Sequence, residues 1–203
     1  MKKKRTKILM CMLFCLSCVN SLFSQESVWE IDQNHSAIRF EISYFGIGTV
    51  QGTFDNFDGN LRLNGNSLNA AQLSIEIQVA SINTNQKTRD EHLRSKDFFN
   101  VAENPSISFN STSIEHISDN TYQVAGIFLM GGISKNLKLT ITDKGEFFHP
   151  RFQKTVKVVE VEGIVLREQH GIGTNYGPAA KALGNEVAFS AQIQLTEKTN
   201  SDQ

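Results

Sequence analysis

Apolar residues recur at every second position along most of this chain. Ile38, Phe40, Ile42 and Tyr44 share one parity and Arg39, Glu41 and Ser43 the other. Successive strand side chains point to opposite faces, so the segment reads as a strand with one buried and one wet face. Gly46-Ile47-Gly48 marks a turn, Val50, Gly52 and Phe54 resume the alternation, and Asp58-Gly59 marks the next turn. Leu61 and Leu63 alternate with Asn60 and Arg62 as far as the turn cluster Asn64-Gly65-Asn66. Leu73, Ile75, Ile77 and Val79 form a further half-buried strand. Ile107 with Phe109, residues 122–130, Leu137 with Leu139 and Ile141, residues 155–166 and residues 187–195 read the same way. One stretch breaks the pattern. Residues 85–95 are polar and charged, which predicts a short helix near residues 86–96, capped by Asn85 or Thr88 and ending near Phe98-Phe99.

About eight or nine strands with one wet face predict an antiparallel sheet. Closing such a sheet removes its edges, and about eight strands enclose room for side chains or for one ligand. The expected fold is therefore all-β, an antiparallel β-barrel of about eight strands with one short helical segment. No internal repeat is visible.

The start of the chain has a different character. Lys2, Lys3, Lys4, Arg5 and Lys7 precede the apolar run Ile8–Val19, and small and polar residues follow up to Ser24. This is the layout of a secretory signal peptide over residues 1–24, and its apolar run is shorter than the roughly 20 residues a membrane span needs. The expected remainder is one domain over residues 25–198 with a disordered tail at 199–203. Cys11, Cys15 and Cys18 all lie inside the leader. Ser17-Cys18 half satisfies a lipoprotein signal, so a lipid-anchored or extracellular protein is the alternative to a periplasmic one. Without its leader the chain has no cysteine to form a disulfide or act as a nucleophile, so the core alone must hold the fold.

The formal net charge of −1 conceals an asymmetry. The basic leader offsets an acidic remainder, which excludes nucleic acid as a partner because phosphate binding needs a cationic face. Five scattered histidines (His35, His92, His116, His149 and His170) form no metal-binding pair at helical spacing, and no nucleophile elbow is present. No enzymatic activity, metal or required cofactor is expected. Twelve phenylalanines follow the leader. They suit a dry ligand-binding lining and an ordinary core equally well.

Several segments resemble the YceI-like lipid- and polyisoprenoid-binding family. These are Ile31-Asp32-Gln33-Asn34-His35-Ser36 running on to Gly59, Arg89-Asp90-Glu91-His92-Leu93-Arg94-Ser95-Lys96-Asp97-Phe98-Phe99, and Asn104-Pro105-Ser106-Ile107-Ser108-Phe109. Residues 126–135 and Arg167 with Gly171-Ile172 continue the similarity, which spans about residues 29–198. Tyr44, Gly131 and His170 depart from the family's usual residues. The resemblance implies an extended lipocalin-like barrel holding a long isoprenoid, such as a polyprenyl quinone, in a periplasm-like space, often as a dimer.

The expected lining on one parity is Phe40, Ile42, Phe54, Ile75, Ile77, Phe109 and Phe128, with Phe57, Phe98 and Phe99 beside turns that guard an opening. His35, Arg89, Asp90, His92 and Arg94 are the expected polar rim or structural network, with Asp90 and Arg94 paired at i, i+4. A carrier of this kind implies transient membrane contact. The competing reading is a periplasmic or surface protein-interaction module with a solid core and no ligand.

Overall fold

The computed structural model describes residues 26–65 and 68–198. The proposed leader with its three cysteines, and the tail from residue 199, lie outside the described residues. Among the described residues eleven strands are present: β1 (Glu26–Ile31), β2 (Ala37–Tyr44), β3 (Gly48–Phe54), β4 (Phe57–Asn64), β5 (Gln72–Gln78), β6 (Ile82–Asn83), β7 (Ser106–Ser118), β8 (Thr121–Met130), β9 (Ile133–His149), β10 (Lys154–Leu166) and β11 (Leu183–Glu197). Eight of them close into a ring, β1-β4-β5-β7-β8-β9-β10-β11, with β11 pairing back onto β1. All the pairings are antiparallel, and the expected barrel is what the chain forms.

The three remaining strands explain why the wall is uneven. β11 is long enough to serve two neighbours: Leu195–Glu197 pair with β1, while residues 183–192 pair with β2. A short 3-10 turn at Gln33–His35 separates β1 from β2. β3 pairs with β2 and with only two residues of β6, whereas β4 pairs with β1 and β5. The sheet is therefore complete at the β1–β4 end and interrupted beside β3 at the other. Helix α1 (Lys87–Arg94) packs beside β6 there, with Arg94 bonded to the Ala80 and Ile82 carbonyls.

Four local expectations are corrected. Asp58 and Gly59 do not turn but lie inside β4, the turn falling at Asp55-Asn56 instead. Gly59 is needed there for close approach, since a Cβ would stand 2.4 Å from the Ser74 carbonyl oxygen. The strand predicted through Val79 ends at Gln78, and Val79–Ser81 form a 3-10 turn. The helix is shorter than residues 86–96, and its cap is neither Asn85 nor Thr88. Gln86 caps it, its side chain accepting the Arg89 N–H, because Asn85 is taken up by a left-handed turn (φ 57°).

At the β1–β4 end the interior is solid. Trp29, Leu61, Leu63, Leu68, Leu73, Ile114, Val124, Ile141, Val159, Ile193 and Leu195 are all buried in one cluster. The residual void among them is about 30 Å³, about one water molecule's share of liquid. This packed block holds the closed end together.

Candidate functional site

The other half of the barrel is hollow. A cavity of about 630 Å³ runs through it, lined by Ile38, Phe40 and Ile42 of β2, Val50 and Phe54 of β3, Ile75 and Ile77 of β5, and Phe109 of β7. Phe128 and Met130 of β8, Leu137 and Leu139 of β9, Val161 and Val165 of β10, and Val187, Phe189 and Ala191 of β11 complete the wall. These are the inward positions of each strand, brought together by closure of the sheet.

The space survives because several rings lie flat against the wall. A Cβ at Gly163 would stand 2.5 Å from Cζ of Phe189, its register partner on β11. Gly52 receives the Phe40 ring in the same way, and Gly126 the Phe109 ring, each with a would-be Cβ 2.4 Å from the ring. An aromatic ring laid over a cross-strand glycine covers bare backbone. It also occupies the volume of the missing side chain rather than the lumen.

The cavity meets solvent at the β2–β3 hairpin tip. The exposed residues Tyr44, Phe45, Thr49, Arg89 and Tyr176 belong to its lining. Facing them is the segment that follows β10. Arg167 there is buried at 3% exposure, yet every branch of its guanidinium is engaged. Nε donates to the Gly184 carbonyl at 2.7 Å and Nη1 to that of Ile172 at 2.8 Å. Nη2 reaches the Ala180 and Leu183 carbonyls and the Glu168 carboxylate, each at 3.2 Å. One buried cation thus gathers the 171–184 loop around itself, with carbonyl dipoles and one carboxylate balancing its charge.

Helix α1 is fastened from below by three polar residues. Asp90, buried, accepts from the Thr84 N–H at 2.9 Å and the Thr84 hydroxyl at 2.6 Å. Arg89 Nε donates to the same hydroxyl at 2.7 Å, and Arg94 donates to the Ala80 and Ile82 carbonyls at 2.8 and 2.7 Å. The expected Asp90–Arg94 pair is replaced by these bonds: Thr84 takes the carboxylate, and two carbonyls take the guanidinium. With the helix so anchored, Arg89, His92 and Leu93 face the cavity, followed by Phe98 and Phe99. The His92 ring stands edge-on to Phe98 (5.0 Å) and to Tyr176 (4.6 Å), and its Nε2 lies 3.0 Å from the Asp97 carboxylate. These contacts join α1 to the 171–184 loop across the opening.

The structure thus gathers Phe40, Ile42, Phe54, Ile75, Ile77, Phe98, Phe99, Phe109 and Phe128 around one cavity, with Arg89 and His92 beside them. Asp90 and Arg94 anchor the helix from outside the lining. Phe57 is not at the opening: it is buried in the core as the first residue of β4. His35 is not at the rim either. It sits in the exposed turn between β1 and β2 with Nδ1 2.7 Å from the Asp32 carboxylate.

Sequence reasoning missed the lining from β9, β10 and β11 and from Ile172, Tyr176 and Leu183. Alternation marked the strands, but which inward positions fall beside the hollow depends on register. Among the described residues, no three His, Cys, Asp or Glu side chains stand together as a metal site, and no helix is long and apolar enough to cross a membrane.

Comparison with known proteins agrees with this architecture. A UPF0312 protein of Pectobacterium atrosepticum is 28% identical over 191 residues, covering 94% of this chain and 98% of that protein. Protein YceI of Salmonella arizonae is 31% identical over 157 residues, 76% of this chain and 81% of the relative. Among solved structures, BcnA of Burkholderia cenocepacia shares the fold with a TM-score of 0.73 at 17% identity, over 81% of this chain and 98% of BcnA. A polyisoprenoid binding domain from Saccharophagus degradans superposes with a TM-score of 0.61 at 11% identity, over 84% of this chain and 98% of that domain. The model of the YceI-like domain matches residues 29–195, and the chain belongs to that family.

Proposed function

We propose that this protein is an exported carrier that reversibly buries a long apolar lipid, an isoprenoid or polyprenyl quinone, in the hollow half of its barrel. The observation that carries the reading is the apolar cavity of about 630 Å³ open at one end. Family membership and the polyisoprenoid-binding structural neighbour support it. At about 30 Å³ for a water-sized group, taken as the measure for a methylene, the cavity of about 630 Å³ takes on the order of 20 such groups. Burial at about 0.8 kcal/mol each then yields roughly 16 kcal/mol gross, within the practical affinity ceiling near 20 kcal/mol. A longer tail trails through the opening. The mechanism is burial and release, with no covalent step.

The experiment is native mass spectrometry of the protein purified gently from its own host, followed by organic extraction. The expected result is one isoprenoid-sized mass per chain. An empty protein that also refuses added polyprenyl quinone refutes the carrier reading and favours the interaction module.

A further inference from the structure

The β2–β3 tip is built in an unusual way. Tyr44, Phe45 and Ile47 are 43%, 67% and 97% exposed, so three large apolar side chains stand in water on one short turn. Exposed single apolar residues are ordinary, but a cluster of them on a protruding tip marks an interaction site. Phe45 adopts a left-handed backbone conformation (φ 53°) ahead of Gly46 (φ 70°). That region is unfavourable for a bulky side chain and persists only where surrounding structure enforces it. Here the Phe45 N–H is fastened to the Ala182 carbonyl at 2.6 Å, and its ring meets Tyr44 edge-on at 4.6 Å. The backbone beneath the ring is thus fixed, and the ring stays 67% exposed.

The tip is also continuous with the cavity. Tyr44 and Phe45 belong to its lining, while Ile47 lies beyond them in solvent. An apolar path therefore runs from the outermost side chain of the turn into the hollow. Residues 44–48 carry no charge. A convex, uncharged tip of a few residues offers far less than the roughly 800 Å² per partner of a stable protein interface. It suits the boundary of a bilayer, where aromatic and aliphatic side chains sink between head groups and a tyrosine keeps its hydroxyl wet.

We propose that the β2–β3 tip docks the barrel mouth onto a lipid bilayer, so that cargo passes between membrane and cavity along Phe45 and Tyr44. This rests on the carrier reading of the cavity. A second group of exposed rings, Phe147, Phe148 and Phe152, decorates the β9–β10 hairpin at the opposite end of β9 from the mouth, and it supplies an internal control.

The test uses vesicles of phosphatidylethanolamine and phosphatidylglycerol doped with a polyprenyl quinone. The same quinone is offered separately from methyl-β-cyclodextrin without vesicles. Ile47→Asp perturbs only the tip, because Ile47 is almost fully exposed and outside the cavity lining. Replacing one large apolar contact with lipid by a charge is expected to slow acquisition from vesicles by about tenfold or more and to abolish co-flotation. Uptake from cyclodextrin is expected to stay at the wild-type level. A Phe147→Ser/Phe152→Ser variant is expected to behave as wild type in both assays.

Acquisition from vesicles by Ile47→Asp at the wild-type rate overturns the proposal, as does an equal loss in the Phe147→Ser/Phe152→Ser control. A change in oligomeric mass with unchanged vesicle acquisition also overturns it, assigning the tip to a second copy of the chain. If wild type takes no quinone from either source, the carrier reading fails. The docking proposal then stands or falls on whether empty wild-type protein floats with vesicles and Ile47→Asp does not.

Discussion

Gly163→Ala tests whether the hollow is maintained by rings lying on glycine. The new methyl would sit 2.5 and 2.6 Å from Cζ and Cε1 of Phe189 and 2.8 Å from Cδ2 of Leu139. Ordinary carbon contacts begin near 3.5 Å, so ring and methyl must separate by about 1 Å or more. Every obstructing atom named is a side-chain atom, and both side chains border the cavity. The ring therefore swings into the lumen. In a filled core such overpacking costs about 1–3 kcal/mol. Here the empty space accepts the ring, and alanine recovers about 0.5–1 kcal/mol of chain entropy relative to glycine. The ligand-free protein should thus unfold within about 1 kcal/mol of wild type in urea. Binding suffers instead: the methyl and displaced ring take the place of about two to three methylene-sized groups. At about 0.8 kcal/mol each this loses about 2 kcal/mol, a roughly 30-fold weaker Kd. Titration of the delipidated variant with a polyprenyl quinone measures it, and Phe189→Ala in the same background should restore much of the affinity. A loss of stability with unchanged binding would refute the reasoning, since the ring would then not turn into the space the ligand uses.

Three further outcomes follow from the same geometry. Arg167→Met leaves the Gly184, Ile172, Ala180 and Leu183 carbonyls without their shared donor. We expect a loss of about 3–5 kcal/mol, a melting temperature lower by roughly 10 °C, and earlier hydrogen exchange in the 171–184 loop than elsewhere. Asp90→Ala strands the buried Thr84 N–H and hydroxyl and releases the hydroxyl that holds Arg89. Urea unfolding should show about 2–3 kcal/mol of destabilisation, with faster ligand escape. Phe40→Asp places a charge in the apolar lining and should abolish lipid retention in native mass spectrometry; retention with the fold intact would remove Phe40 from the binding surface.

The parts of this molecule legible in the sequence are those set by local periodicity. Phe40 and Ile42 read as inward because their neighbours Arg39 and Glu41 must face water, whatever the partner strand. Phe57 shows the limit of that argument. It follows the Asp55-Asn56 break, and only the pairing of β4 with β5, which sets Phe57 opposite Ile77, tells that it is buried in the barrel wall rather than standing at the opening. The Asp90–Arg94 expectation failed because helical spacing states which side chains are adjacent, not which competitors are nearer. Thr84 and the carbonyls of residues 80 and 82 come from the chain preceding the helix and outcompete the pair. Gly163 beneath Phe189 was invisible for the same reason: the two are register partners 26 positions apart.

The barrel's two halves divide stability from binding. Had truncation of packed side chains produced a void of 630 Å³, its cost at about 24 cal/mol per Å³ would be about 15 kcal/mol, as much as a typical domain's whole stability. This hollow is not of that kind. Phe40, Phe109 and Phe189 keep close contact with the wall through the glycines beneath them, so the lining retains its dispersion contacts on one side. The open mouth joins the hollow to solvent. The packed block from Trp29 to Leu195 holds the closed end independently, and β11 runs through both halves. A substitution's effect should therefore depend on its level along the barrel axis more than on its residue type. A large-to-small change at Leu61 or Ile193 creates a dry cavity and destabilises the fold, whereas the same change at Ile42 or Val187 enlarges a space that is already open.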